Sequence, residues 1–231
     1  MLKRRLRQSR LSAFFLTAAL LAMLHAATPA SASQTDAALS LYGAFNGSTT
    51  GNNVVQRQAN AAGAMIELRH LVHPWLGYEA TYSFNRANQN YTDIYACNSL
   101  SGPGCNFSAT ASANAQEFTG DWVVSFHALN VRPFALVGVG LLVDVPTGGT
   151  AYTGPFFGPG IPTQAPFMTS NSFKPVFVYG AGVDWGLLPH LGLRFQYRGN
   201  LSKAAALTNV IQSSNAFTQT AEPMIGAYFR F

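Results

Sequence analysis

Charge is scarce in this sequence. Of 231 residues only 14 are Lys or Arg and nine are Asp or Glu, together 10%, where soluble domains average about 25%. The basic residues are also unevenly placed, because Lys3, Arg4, Arg5, Arg7 and Arg10 all lie in the first ten, MLKRRLRQSR. Beyond them 14 − 5 = 9 basic residues stand against nine acidic ones, so the formal +5 vanishes. With it goes the basic surface that a nucleic-acid partner requires. Long apolar runs are missing as well. The stretch Leu11–Leu24 falls short of the roughly 20 residues of a membrane-spanning helix. No cysteine follows the small residues after it, which argues against a lipoprotein anchor. A basic start, a short apolar stretch and an Ala30-Ser31-Ala32 cleavage pattern make up a secretory signal. Residues 1–32 are read as that signal, and residues 33–231 as a single β-barrel domain.

What the remainder does contain is alternation. In WLGYEATYSF, Leu76, Tyr78, Ala80, Tyr82 and Phe84 share one face, opposite Gly77, Glu79, Thr81 and Ser83. LGLRFQYR and EFTGDWVVSF repeat the pattern. Runs of this length suit tilted bilayer crossings. Three short connections lie near residue 72 (HLVHPW), 129 (HALNVRP) and 189 (LLPHLG). Between them are longer segments rich in Gly, Asn, Ser, Thr and Pro, at 47–57, 87–114, 146–172 and 200–215. Turn-forming composition marks these as loops. Short and long connections in strict alternation predict an all-β, eight-stranded, antiparallel, up-and-down transmembrane barrel. The polar face is small and sparsely charged, unlike a soluble surface. The apolar face carries aromatics toward both ends: Phe45, Tyr82, Phe84, Phe118 and Tyr197 at the loop end, and Phe126, Trp185, Phe229 and Phe231 at the turn end. Two such girdles belong to a lipid-facing exterior.

The strand layout, the glycine-marked RPFALVGVG and VYGAGVDWG, the segment LPHLGLRFQYRG and the terminal IGAYFRF resemble the small outer-membrane β-barrel family. That is the OmpA/OmpX-like, porin-family group. The resemblance implies location in the outer membrane of a Gram-negative bacterium after secretion through the inner membrane, and contact with outer-membrane lipid and lipopolysaccharide. Ile225, Ala227, Phe229 and Phe231 resemble the signal read by the barrel-assembly machinery. The group shares a scaffold more than one activity.

Facing the lumen, alternation places Glu67, Glu79, Glu117, Asp121, Asp144, Asp184 and Glu222 with Arg69, Arg132, Lys174, Arg194, Arg198 and Arg230. An eight-stranded barrel is just wide enough to be filled by side chains, and an unpaired buried charge is expensive. The set is therefore expected to be near balance. It reads as a salt-bridge network that plugs the lumen, or else as a gated ion path. Cys97 and Cys105, in CNSLSGPGC, are expected to form a disulfide within one exterior loop. Four histidines, His70, His73, His127 and His190, fall at the short turns. Neighbouring turns are on the order of 10 Å apart, too far for shared zinc bonds of about 2.1 Å. No metal or cofactor is expected: no helix follows the glycine pairs to cap a pyrophosphate. No His-x-Ser pair of the kind used by lipid A deacylases occurs, so a lipid-modifying enzyme ranks last. The first expectation is a monomeric structural or surface-interaction protein, with a possible exterior ligand at loops 87–114 and 146–172. The second is a narrow porin-like conduit.

Overall fold

Strands with one polar and one apolar face leave no open edge when they close into a ring, a necessity in lipid. The computed structural model describes residues 33–93, 107–152, 164–166, 169–208 and 212–231, and Gln34–Phe231 forms one unit. Its strands are β1 (Gln34–Asn46), β2 (Ser48–Gly51), β3 (Val54–Gln58), β4 (Ala61–His73), β5 (Leu76–Asp93), β6 (Phe107–Ser125), β7 (Val131–Tyr152), β8 (Gln164–Pro166), β9 (Ser172–Gly186), β10 (Leu191–Lys203) and β11 (Phe217–Arg230). Eight of them build the wall, in the circular order β1, β4, β5, β6, β7, β9, β10, β11, with every neighbour antiparallel. The ring closes between β11 and β1, where Asp36 pairs with Arg230 and Leu41 with Ile225. The Phe231 amide donates to Thr35 O at 2.9 Å. The fold is an eight-stranded antiparallel barrel.

Leu39, Leu41, Ile66, Val139, Leu141 and Ile225 are exposed on the outer face. Toward the edges of this apolar band the exposed residues turn aromatic, with Phe45, Phe84, Phe173 and Tyr197 on one side and Trp75, Phe126, Trp185 and Phe229 on the other. Inside, room is tight. Tyr42 lies directly across from Gly63, and Tyr228 from Gly192. A Cβ at either glycine would run into the ring opposite. Each glycine thus lets a tyrosine lie flat against the wall.

The loop expectations need correction. Much of 87–114 is strand, since β5 runs to Asp93 and β6 begins at Phe107. β7 extends through Tyr152, β2 and β3 form a hairpin within 47–58, and β10 continues to Lys203. The reason is a change of solvent along the strand. Below Phe84 the polar residues face in and the apolar ones out. Above it Tyr91, Ala109, Ala111 and Ala113 are buried inside. On the outer face Ser112 Oγ donates to Asn88 Oδ1 at 2.7 Å, and Thr110 Oγ1 to Asn90 Oδ1 at 2.9 Å. The Asn-, Ser- and Thr-rich composition that looks like a loop is a water-facing sheet surface. Residues 85–93 carry the wall some 30 Å further along the strand.

Inside this extension lies an apolar core of Val54, Tyr91, Ala109, Ala111, Ala113, Ala205 and Leu207. Ala205 and Leu207 follow β10, which stands opposite β5 in the ring. The chain after β10 therefore crosses the mouth. Tyr91 Oη and Gln56 Nε2 both donate to Ala205 O at 2.8 Å, and Thr49 Oγ1 lies 2.8 Å from Ser214 Oγ.

Candidate functional site

Lumen charges reach each other because inward positions on facing strands converge in a narrow bore. Asp184, near the turn end of β9, is the hub. Its Oδ1 accepts from Arg194 Nε at 2.7 Å. Its Oδ2 accepts from Arg132 Nη2 at 2.7 Å and from Arg69 Nη1 at 3.2 Å. Arg194 also reaches Glu67 at 2.6 Å and Glu79 at 3.4 Å, while Arg69 pairs with Glu79 at 2.6 Å. Arg132 is bound to Asp36 as well, and Arg230 lies 3.6 Å from the same carboxylate. The side chains of Arg69, Glu67, Glu79, Asp184 and Arg194 have no solvent exposure. Phe134 supports them, with the Arg69 guanidinium carbon 3.9 Å from its ring centre in a cation–π contact.

A second group sits toward the loop end. Arg198 lies 3.4 Å from Asp121 and 3.8 Å from Glu117, and Lys174 pairs with Asp144 at 2.8 Å. One 4.0 Å contact, Arg198 to Glu79, joins the two groups. Thr119 accepts from Arg198 Nη2 at 3.0 Å, and Asn200 Nδ2 donates to both Glu117 oxygens at 3.1 and 2.9 Å. Glu222 is buried but has no ion pair among the described residues, and its Oε2 has no hydrogen-bond partner there.

The sequence-derived lumen set is gathered in one column, but its count was short. Asp36 was missed because it lies in SQTDAALS, at the polar start of the domain. Its place in step with Ala38, Ser40 and Tyr42, all buried inward residues of β1, was the available signal. With it the described residues place eight acids and six bases in the lumen, an excess of acid rather than a near-balance. Reasoning from polarity alone also missed Phe134, Leu136, Val176 and Val178, an apolar sector of the lumen contributed by β7 and β9. Ile225, Ala227, Phe229 and Phe231 lie on the exposed outer face of β11 and just past it. Cys97 and Cys105 lie outside the described residues.

Each histidine has its own surroundings. His70 Nδ1 lies 2.9 Å from Thr35 Oγ1, His73 stacks on Trp75, and His190 Nδ1 lies 3.0 Å from Arg230 O. Among the described residues no group of three or more His, Cys, Asp or Glu is placed to hold a metal. His127 borders a cavity of about 330 Å3 at the turn end, with Leu129, Arg132, Asp184, Leu188 and Arg230 in its wall. Partial burial, then Arg132 and Arg230, hold its imidazole below the ordinary range, with Asp36 opposing.

A closed barrel with a lipid-facing apolar exterior and a charge-filled lumen defines an integral outer-membrane protein. The outer membrane protein beta-barrel domain family matches residues 16–221, and the chain belongs to it. No curated protein matches the sequence. Among solved structures, it is similar to Neisserial surface protein A (14% identity, 88% of this chain and 100% of that one, TM-score 0.44). It is also similar to the attachment invasion locus protein Ail of Yersinia pestis (12% identity, 86% and 97%, TM-score 0.43). A third likeness is to the N-terminal β-barrel domain of Pseudomonas aeruginosa OprF (11% identity, 87% and 100%, TM-score 0.41).

Proposed function

We propose that this protein is a sealed, non-enzymatic outer-membrane scaffold, with a structural or surface-interaction role served by the sheet it raises above the membrane. The observation that carries this reading is the solvent-free ion network across the bore. Solute passage would require several ion pairs to part at once, each costly to break in so dry a setting. Open aqueous channels belong to barrels of about 16 strands. The chain segment after β10 adds a second closure at the loop end. What remains available to a partner outside the cell is the extension made by β2, β3 and the upper parts of β5, β6 and β7. Lipopolysaccharide and phospholipid surround the barrel in this reading, the assembly machinery inserts it, and it works as a monomer. Planar-bilayer recording of refolded protein tests the sealed lumen. The expected result is no resolvable conductance, and discrete single-channel steps would refute it.

A narrow gated conduit is the second reading. It rests on the turn-end cavity reaching Arg132 and Asp184 and on the smaller cavity at Glu117 and Glu222. Conductance seen only under voltage or acid would favour it.

A further inference from the structure

The lumen's ion groups differ in balance. The turn-side group holds Asp36, Glu67, Glu79 and Asp184 against Arg69, Arg132, Arg194 and Arg230, four of each. Among the described residues the loop-side group holds Glu117, Asp121, Asp144 and Glu222 against Lys174 and Arg198, a formal surplus of 4 − 2 = 2 negative charges. That surplus is buried in a low-dielectric bore and borders a small cavity. Glu117, Glu222, Asn85 and Asn200 line it, with Ser83 and Ser202 beside them.

The donor pattern around this cavity is one-sided. Asn85 gives its amide N–H to Tyr42 Oη at 3.0 Å, and Asn200 gives its own to Glu117. Both amides thereby point their nitrogen at an acceptor, and the side-chain oxygen of each is left without a partner among the described residues. Asn85 Oδ1, Asn200 Oδ1 and Glu222 Oε2 have no hydrogen-bond partner among the described residues, although each residue is more than nine-tenths buried. Three acceptors without a donor are costly. Arg198 turns its Nη atoms toward Asp121 and Thr119, and its Nε has no partner among the described residues.

We propose that this cavity is a site for a calcium-type divalent cation, held by the carboxylates of Glu117 and Glu222 and the amide oxygens of Asn85 and Asn200. One such ion cancels the surplus of two charges and satisfies the three unpartnered acceptors of this cavity together. A water molecule brings only two donors and no charge. A proton on Glu222 supplies one donor and leaves at least one amide oxygen unserved. The all-oxygen donor set suits a hard cation, and the volume of about 20 Å3 holds a single small occupant. Calcium tolerates irregular oxygen shells, whereas magnesium demands near-octahedral geometry and keeps its waters. Taking half its oxygens from amides, the site lacks the three acidic or imidazole ligands of a conventional cluster.

The test uses full-length barrel refolded in detergent free of lipopolysaccharide and stripped with EGTA, with heat-dependent gel mobility confirming the fold of every variant. Calorimetric titration with calcium should show one saturable equivalent, and calcium should raise the urea midpoint. Glu222→Gln should weaken binding at least about tenfold by removing one ligand charge, and the Glu117→Gln/Glu222→Gln pair should abolish it. Glu222→Gln should also be more stable than the unmodified protein in EGTA and less stable in calcium. Absence of saturable binding at millimolar calcium, or unchanged binding in the folded double variant, would overturn the site. Equal stability ranking with and without calcium would overturn it too, and would assign the surplus to protons.

Discussion

Asp184→Asn is the most direct probe of the turn-side ion group. The substitution keeps the shape of the side chain but removes a charge shared by Arg69, Arg132 and Arg194, which approach to 3.2, 2.7 and 2.7 Å. It turns a balanced four-and-four group into three acids against four bases. The new amide also brings N–H donors to face guanidinium donors. Losing one partner of a buried pair typically costs about 3–5 kcal/mol, and here three partners lose at once, so the upper part of that range is expected. With a urea slope of roughly 2 kcal/mol per molar, the unfolding midpoint in lipid vesicles should fall by about 2 M. Tryptophan fluorescence or heat-dependent gel mobility reports the folded fraction. A shift below about 0.5 M, on the same slope, would refute the claim that Asp184 is the hub. Such a result would mean that the guanidiniums find other carboxylates within the bore.

Other expectations follow from different parts of the fold. Val139→Arg, on the exposed mid-strand face of β7, should cost about 2–4 kcal/mol in bilayers, read from the same urea titration. Tyr91→Phe removes the hydroxyl that donates to Ala205 O and accepts from Leu207 N–H. It should cost about 1–2 kcal/mol and speed protease cleavage within 204–216, with no effect on barrel formation. His127 is held below its unfolded range by burial, Arg132 and Arg230. The unfolded chain therefore takes up its proton first, and stability is lost as pH falls from about 6.5 toward the folded value. His127→Gln should flatten the stability–pH curve in that window.

Much of the barrel was legible because a bilayer imposes one simple rule on strands. LGLRFQYR announces its two faces without any tertiary information, and strict alternation of short and long connections follows from an up-and-down ring. The same rule misread RANQNYTD and SATASANA. Above the membrane water replaces lipid outside, so polar residues become the outer face of an ordinary sheet. Nothing in local composition marks the height at which that exchange occurs.

The lumen divides in the same way. Single-strand alternation was enough to say which of Glu67, Arg69, Glu79, Asp184 and Arg194 point inward, because inward direction is a local property of a strand. Which acid meets which base was decided by the stagger between strands that lie far apart in sequence. Glu67 and Arg194 are 127 residues apart and meet at 2.6 Å. Arg198 and Glu222 are opposite in register, yet Glu222 is left without an ion pair among the described residues. Sequence set the cast of inward charges through the period of the strand. Only closure of the ring set their pairing, and with it the local surplus beside Glu117 and Glu222, because charge balance in a narrow bore depends on height and azimuth together.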